Sequence, residues 1–183
     1  MSFIEMMLKR ESVRSYADKA VSREDLMKIV EAGRLSPSAC NSQPWKFIVI
    51  DDEQAKEKLR DALVLENGKT SCPFRGDVPA FIVIVEQPAK LMPTAQEYYQ
   101  NSQYFAHGDI GMAAMNMCYE AMDLGLSTCM IGMNNQAKME QYFNIPEGQI
   151  VRLVLTVGYA AEDKEPRKKM RKVVEEVCSF NEF

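Results

Sequence analysis

The sequence predicts a fold of mixed helices and strands, and three observations lead to this prediction. Apolar residues recur at helical spacing in several segments, most clearly over residues 107–124. Short, continuously apolar runs lie between these segments, and Pro79–Val85 is the clearest. A loop of prolines and small polar residues, Ser36–Phe47, separates a helix pattern from a strand pattern. Periodicity alone permits an α+β fold or a doubly wound α/β fold.

Length and composition predict one globular domain over residues 1–183. The chain has 183 residues, of which 46% are hydrophobic and 26% charged, enough for a substantial core. The net charge of -4 leaves no basic surplus to neutralise phosphates, so we expect no nucleic-acid partner. The longest apolar stretch, Phe81–Val85 with its flanks, is too short to span a membrane. The charged N-terminus lacks a signal-peptide core, so a cytoplasmic location is expected.

Cysteine and histidine usage predicts no metal site. Five cysteines lie apart without a Cys-x-x-Cys pair, and His107 is the single histidine. We expect reduced thiols, with Cys129 as a small buried residue and His107 as a structural residue without a visible partner. No catalytic triad, P-loop or Gly-x-Gly-x-x-Gly motif is present, so we expect no catalytic side chain. An enzyme with this inventory would rely on a cofactor.

The first half of the chain alternates helix and strand patterns. Apolar positions in Phe3–Lys9 predict a short helix, and Ser22 followed by Asp25 is typical of a helix start. That helix should end near Leu35. After the Ser36–Phe47 loop we expect a buried strand, a charged helix and a long loop: Phe47–Ile50, residues 53–65 and residues 66–78.

The second half is built around the helix expected over residues 107–124. This pattern is apolar nearly all round and predicts a buried central helix, with Asp109 as a helix-start residue. Segment 87–105 is rich in aromatic residues and would form either a lid over a pocket or aromatic packing at a dimer interface. The remaining expectations are a short strand, a helix, a turn and a final strand: Gly125–Gly132, Gln136–Phe143, residues 144–148 and Val151–Tyr159.

Three segments could bind a ligand. Arg10, Ser12 and Arg14 place two guanidiniums beside a hydroxyl, which suits an anion, although a solvated charged patch has the same composition. The Ser36–Phe47 loop suits a planar ligand with polar edges, or it is a plain connection with a buried Trp45. A basic run over residues 165–172 would otherwise be a solvated tail.

These strings, in this order, resemble the nitroreductase family of FMN-dependent oxidoreductases. Arg10-Glu11-Ser12-Val13-Arg14 matches an Arg-x-Ser-x-Arg motif, and residues 36–45 match Ser-Pro-Ser-x-x-Asn-x-Gln-Pro-Trp. The resemblance continues through Asp109–Gly132 and the basic C-terminal segment, so it covers nearly the whole chain. It implies an α+β fold with a mainly antiparallel sheet flanked by helices. It also implies a domain-entwined homodimer, with the helix over residues 110–124 at its core.

The resemblance also implies which residues bind FMN. The residues for the phosphate and ribityl chain are Arg10, Ser12 and Arg14, joined from the C-terminal basic run by Lys169 and Arg171. The residues for the flavin ring edge are Pro37, Ser38, Ala39 and Gln43, which reach across from the partner subunit. Asn67 is the candidate near the pyrimidine edge, unless Lys69 or Arg75 serves the phosphates of a reductant in that loop. The backbone facing the redox centre would come from Met130, Ile131 and Gly132.

The implied activity is ping-pong transfer of hydride. NADH or NADPH delivers hydride to flavin N5, and a small electrophilic acceptor such as a nitroaromatic or a quinone then occupies the same face. Alternatives are a flavin reductase acting on enones or halogenated aromatics, and an FMN-binding protein without NAD(P)H turnover. A structural interaction module remains an alternative if no flavin binds.

Overall fold

The computed structural model describes residues 2–99, 101, 103–162 and 167–183. The helices are α1 (Phe3–Lys9), α2 (Arg23–Arg34), α3 (Glu53–Ala62), α4 (Pro93–Tyr98), α5 (Ala106–Asp123) and α6 (Gln136–Phe143). The strands are β1 (Trp45–Ile50), β2 (Ala80–Glu86), β3 (Ser127–Ile131) and β4 (Ile150–Gly158). Short 3₁₀ turns lie at Ala39–Asn41, Arg75–Asp77 and Val174–Glu176.

The four strands form one antiparallel sheet in the order β1-β2-β4-β3. This excludes the doubly wound arrangement, which needs parallel strands, and confirms the α+β prediction. Strand β2 is central and buried along its whole length, as its apolar sequence predicted. Phe81, Val83 and Val85 face one layer of the core, whereas Ile82 and Ile84 face the other.

Helices cover both faces of the sheet. On one face, α2 and α5 contribute Leu26 and Met117 to the core cluster that contains Ile82 and Ile84. On the other face, α3 and α6 contribute Leu59 and Met139, both fully buried. The sheet is therefore the middle layer, and loops at its edges and ends are the places left for a binding site.

Several boundaries differ from the sequence-based expectations. Strand β1 begins at Trp45, two residues early, because Trp45 pairs with Glu86 of β2 and is buried. Helix α3 ends at Ala62 and not at residue 65, since the Leu65 N–H donates to the Lys69 carbonyl in a turn (N···O 2.8 Å). Helix α5 is not buried all round, because Met112 is 43% exposed.

Segment 87–105 is partly helical. It contains α4, and the rings of Tyr99, Tyr104 and Phe105 pack on each other with centroids 4.6 to 5.0 Å apart. The Gln103 amide clamps this segment to the sheet, because its Nε2 donates to the Gln87 carbonyl at 3.0 Å. Residues 100 and 102 lie outside the described residues.

Candidate functional site

The Arg10–Arg14 segment lies along the free edge of β3. Ser12 forms a parallel bridge with Thr128, and the Val13 N–H donates to the Thr128 carbonyl (N···O 3.0 Å). Beneath it, the buried Tyr16 hydroxyl donates to the Val13 carbonyl at 3.0 Å and lies 2.6 Å from the Thr156 hydroxyl. These bonds fix the segment because they use backbone groups that an edge strand would leave unpaired.

Three guanidiniums converge on Ser12. Arg10 donates to the Ser12 hydroxyl at 3.4 Å, while Arg14 and Arg167 donate to the Ser12 carbonyl at 3.4 and 2.7 Å. Within the described ranges, Arg10 and Arg14 form no ion pair. Like charges brought together in this way favour an anion between them, and the forked donors of arginine match phosphate oxygens.

The C-terminal basic run docks on the same segment. Lys169 Nζ donates to the Leu8 carbonyl at 2.5 Å, and Arg167 Nε donates to the Glu11 carboxylate at 3.0 Å. Partial burial raises the pKa of Glu11, but the hydrogen bonds and charge of Arg167 outweigh it and leave that pKa below its ordinary value. The basic run therefore reaches the Arg10–Arg14 segment through Arg167, whereas Lys169 contacts the residues just before it, and the FMN role of Lys169 stays a prediction.

Arg167 was missed by sequence reasoning. Its spacing from Lys169 could have predicted it, because side chains two residues apart lie on the same side of an extended segment. Arg171 makes no hydrogen bond or ion pair with the part of the chain that the structure describes, so its role remains a prediction. Residues 165 and 166 of the predicted basic run lie outside the described residues.

The end of β3 continues this face. Ile131 is buried in the core, whereas Gly132 is exposed and a Cβ placed on it would meet no atom within 4 Å. Beside it, Asn67 lines a cleft of about 600 Å³ together with Asn134 and Gln136. The structure therefore brings Asn67 close to Asn134 and Gln136, which follow Gly132 along the chain.

The Pro37–Gln43 loop is a second, differently built region. Its backbone is left-handed at Cys40, Asn41 and Gln43, with φ of 53°, 51° and 48°. The Gln43 N–H donates to the Ser38 hydroxyl at 2.9 Å, so the loop closes on itself. The half-buried Ala39 N–H points away from solvent and into the protein, towards α5.

Asp109 accepts this N–H and lies in the first turn of α5, as the sequence predicted. Helix α5 begins at Ala106 with Phe105 as its N-cap, and Asp109 does not cap it. Each carboxylate oxygen of Asp109 lies 3.2 Å from Ala39 N. The carboxylate therefore holds the loop.

The two regions do not meet within one chain. The loop leads into the start of β1, at one edge of the sheet, whereas Ser12 lies against β3 at the other edge. Three strand spacings separate these edges, which is roughly 14 Å. The predicted flavin residues thus divide into a β3-edge group and a loop group.

A polar cluster around Glu86 supports the loop end of the sheet. The buried Glu86 carboxylate accepts hydrogen bonds from Arg152 and, at 2.5 Å, from Gln103. His107 Nε2 lies 3.5 Å from it, so His107 has the partner that its sequence context did not reveal. Burial raises the pKa of Glu86, but Arg152 and Gln103 outweigh this effect and leave that pKa below its ordinary value.

Cys129 is a buried residue beneath the β3 edge, as expected. It is 2% exposed, and burial raises the pKa of its thiol even though Arg14 acts in the opposite direction. All five cysteines are free. The described residues contain no group of three or more metal-ligating side chains, and no described helix is long and apolar enough to cross a bilayer.

Fold and candidate site together describe an α+β protein whose sheet edge carries three converging arginines beside a strand that is followed by an exposed glycine. Residues 7–159 match the model of the nitroreductase family, and the chain belongs to that family. The class predicted from sequence, an oxidoreductase of the nitroreductase family, is confirmed.

Individual relatives agree with the family assignment. A protein of Archaeoglobus fulgidus, named provisionally as an NADH dehydrogenase/NAD(P)H nitroreductase, is 29% identical over 166 residues, with 88% of this chain and 87% of the relative covered. A nitroreductase family protein of Clostridium difficile 630 superimposes with a TM-score of 0.82 at 25% identity, covering 100% of both chains. An FMN-dependent nitroreductase of Clostridium difficile R20291 superimposes with a TM-score of 0.77 at 26% identity, covering 99% of this chain and 100% of that chain.

Proposed function

We propose that this protein is an FMN-dependent NAD(P)H oxidoreductase that reduces a small electrophilic acceptor. The observation that carries the proposal is the convergence of Arg10, Arg14 and Arg167 on Ser12, beside the open backbone after β3. The C. difficile R20291 relative is named as FMN-dependent, and the A. fulgidus relative carries NAD(P)H in its name. Both names agree with this reading of the site.

The chemistry of the β3-edge residues fits FMN. Its phosphate requires cations, which Arg10, Arg14 and Lys169 provide from both ends of the chain, with Arg171 as a further candidate. Its ring requires backbone amides and room for close approach, and Met130–Gly132 offers both because Gly132 has open space above it. When bound, FMN accepts hydride from NADH or NADPH and passes it to the acceptor. The protein's part is to bind and orient, so no acid–base side chain is required.

The active form would be a homodimer. A second subunit could bring its Pro37–Gln43 loop to the β3 edge of the first, which supplies the ring-edge contacts that one chain leaves on the opposite edge of its sheet. In that dimer, Met112 on α5 would be an exposed apolar residue available to the dimer core. Residues 1–183 would act as one domain, since Arg167 and Glu11 join the two ends of the chain.

The proposed class of electron acceptor is small planar molecules, because these could reach a flavin bound at an exposed sheet edge. Nitroaromatics and quinones are the first candidates, and enones or halogenated aromatics are the alternatives. A panel of acceptors, assayed with purified protein and excess NADPH or NADH, would separate them by their kcat/KM values.

The first test is a visible absorption spectrum of the protein as purified or after reconstitution with FMN. We expect a flavin spectrum that bleaches on anaerobic addition of NADH or NADPH. A bound flavin that stays oxidised would indicate an FMN-binding protein without NAD(P)H turnover. A protein that remains colourless after reconstitution would contradict the proposal.

A further inference from the structure

Asp109 carries a buried charge that binding of FMN at the β3 edge does not use. The residue is 4% exposed, and both carboxylate oxygens lie 3.2 Å from Ala39 N. Among the described residues, this backbone amide is the only donor to the side chain. Burial raises the pKa of Asp109, and the Ala39 hydrogen bond only partly opposes this effect. Burying a carboxylate with a single hydrogen-bond donor costs free energy, so we expect Asp109 to have a role that offsets this cost.

The loop that Asp109 holds has an unfavourable backbone. Left-handed φ at Cys40, Asn41 and Gln43 is disfavoured for residues with a Cβ, so the loop would relax unless outside contacts maintained it. Contacts at its two ends are neutral: Asn116 Nδ2 donates to the Ser36 hydroxyl at 2.7 Å, and the Lys90 N–H donates to Ser42 Oγ at 2.8 Å.

The middle of the loop has a charged contact instead. Ala39 is the first residue of the 3₁₀ turn, directly before the left-handed residues, and its N–H meets the Asp109 carboxylate. Charge-assisted hydrogen bonds are about twice as strong as neutral ones. Asp109 therefore sits where one strong bond can fix the direction of the whole loop.

We propose that Asp109 is a positioning residue that fixes the Pro37–Gln43 loop in the shape that contacts the flavin of the partner subunit. The proposal rests on the proposed function, because the flavin and the second subunit are taken from it. Asp109 itself acts through the Ala39 amide and does not touch the flavin.

Four variants test this link: Asp109→Ala, Asp109→Asn, Ala39→Pro and the double variant Asp109→Ala/Ala39→Pro. Proline removes the donor from the loop side and is tolerated at the first position of a helical turn. Ser38 before it is already extended, with φ -149° and ψ 152°, which suits a following proline. The matched control is Asp123→Asn, because Asp123 is an exposed carboxylate on the same helix.

Two quantities are measured, the first only in Asp109→Ala, Asp109→Asn and the control, which keep the Ala39 amide, and the second in every variant. The first is hydrogen exchange at the Ala39 amide in flavin-free protein, which does not depend on activity. We expect exchange to be at least about tenfold faster in Asp109→Ala than in wild type, and to change less in Asp109→Asn, which keeps an acceptor oxygen. The second is the FMN dissociation constant, which should rise about tenfold in Asp109→Ala, as expected for one lost charge-assisted bond.

The double variant separates positioning from direct contact. Ala39→Pro leaves the buried carboxylate unpaired, so its FMN dissociation constant should rise at least tenfold. Removing the carboxylate as well should recover part of that loss, since the two changes act on one bond. Losses that simply add would overturn the proposal.

The remaining outcomes distinguish this inference from the function on which it rests. A wild-type protein that takes up no FMN overturns the proposed function and the inference with it. A wild type that binds FMN, with Ala39 exchange and FMN affinity unchanged in Asp109→Ala, overturns only the role of Asp109. If Asp109→Ala fails to fold, Asp109→Asn and Ala39→Pro still decide the question, because neither leaves a cavity.

Discussion

The β3 edge and the Pro37–Gln43 loop hold their candidate flavin-binding groups by different means. At the β3 edge, an extended segment pairs with a strand, and arginines from distant parts of the sequence converge on Ser12. In the loop, a left-handed backbone is held by hydrogen bonds to other elements, and the Asp109 carboxylate accepts the charged one from the Ala39 N–H. The first region offers cations, and the second offers a fixed backbone shape.

Under the proposed function, this difference corresponds to the two parts of FMN, the phosphate at the β3 edge and the ring at the loop. A phosphate is attracted by charge over several ångströms, so flexible arginines on a sheet edge suffice. Polar edges of a planar ring need donors and acceptors in fixed directions, and a strained loop with defined anchors provides them. Because the two regions lie on opposite edges of one sheet, the proposed function requires a second subunit to combine them.

The largest effect is expected from mixed dimers. One subunit carries Arg10→Ala with Arg14→Ala, and the other has Pro37–Gln43 replaced by glycines. Either variant alone should bind FMN about 100-fold more weakly or worse, since two or more hydrogen bonds are lost. In mixed dimers one of the two sites is intact, so random reassociation should restore about a quarter of all sites to wild-type affinity.

The measurement is an FMN titration by fluorescence quenching after the two variants are unfolded and refolded together. Each variant refolded alone is the control and should stay weak. A mixture without recovered sites would show that both regions act within one chain, or that only one of them contacts the flavin.

A smaller effect is expected in the C-terminal basic run. Arg167→Ala and Lys169→Ala should each weaken FMN binding about tenfold, because Arg167 holds Ser12 and Lys169 holds the Leu8 carbonyl just before the Arg10–Arg14 segment. Arg171→Ala should have less effect, and Lys172→Ala, an exposed neighbour, is the control. If Arg171→Ala weakened FMN binding as much as Lys169→Ala, the result would instead support Lys169 and Arg171 as the two phosphate-binding residues, as the family resemblance implies.

The smallest effect concerns stability at the loop end of the sheet. Glu86 has a pKa below its ordinary value of 4.5, so its ion pair with Arg152 stabilises the fold above that pH and is lost as the pH falls below it. Glu86→Gln should lower the free energy of unfolding at pH 7 by about 1 kcal/mol, roughly a 2–4 °C drop in Tm.

Thermal melts of both proteins between pH 3 and pH 7 provide the measurement. The difference in Tm between wild type and Glu86→Gln should shrink as the pH falls below about 4.5. Glu57→Gln, an exposed position on α3, is the control and should follow wild type throughout. A difference that stays constant with pH would assign the effect of Glu86 to packing and not to its charge.

Much of the fold followed from local patterns. The apolar run at β2 identified the central strand, and the amphipathic patterns gave α2 and α6 within one or two residues. The errors lie where tertiary contacts override local preference. Trp45 joins β1 because Glu86 is opposite it, and α3 ends at Ala62 because the Leu65 N–H donates to the Lys69 carbonyl in a turn.

The sequence by itself determined the family, the antiparallel α+β fold through that resemblance, and which short strings hold the candidate site. These depend on residue type and spacing along the chain, which a sequence displays directly. Only the tertiary structure decided that Arg167 joins the N-terminal arginines, that His107 faces Glu86, and that the loop lies on the opposite sheet edge from Ser12. Strand order and contacts between residues far apart in the sequence determine these arrangements, and local sequence patterns predict neither.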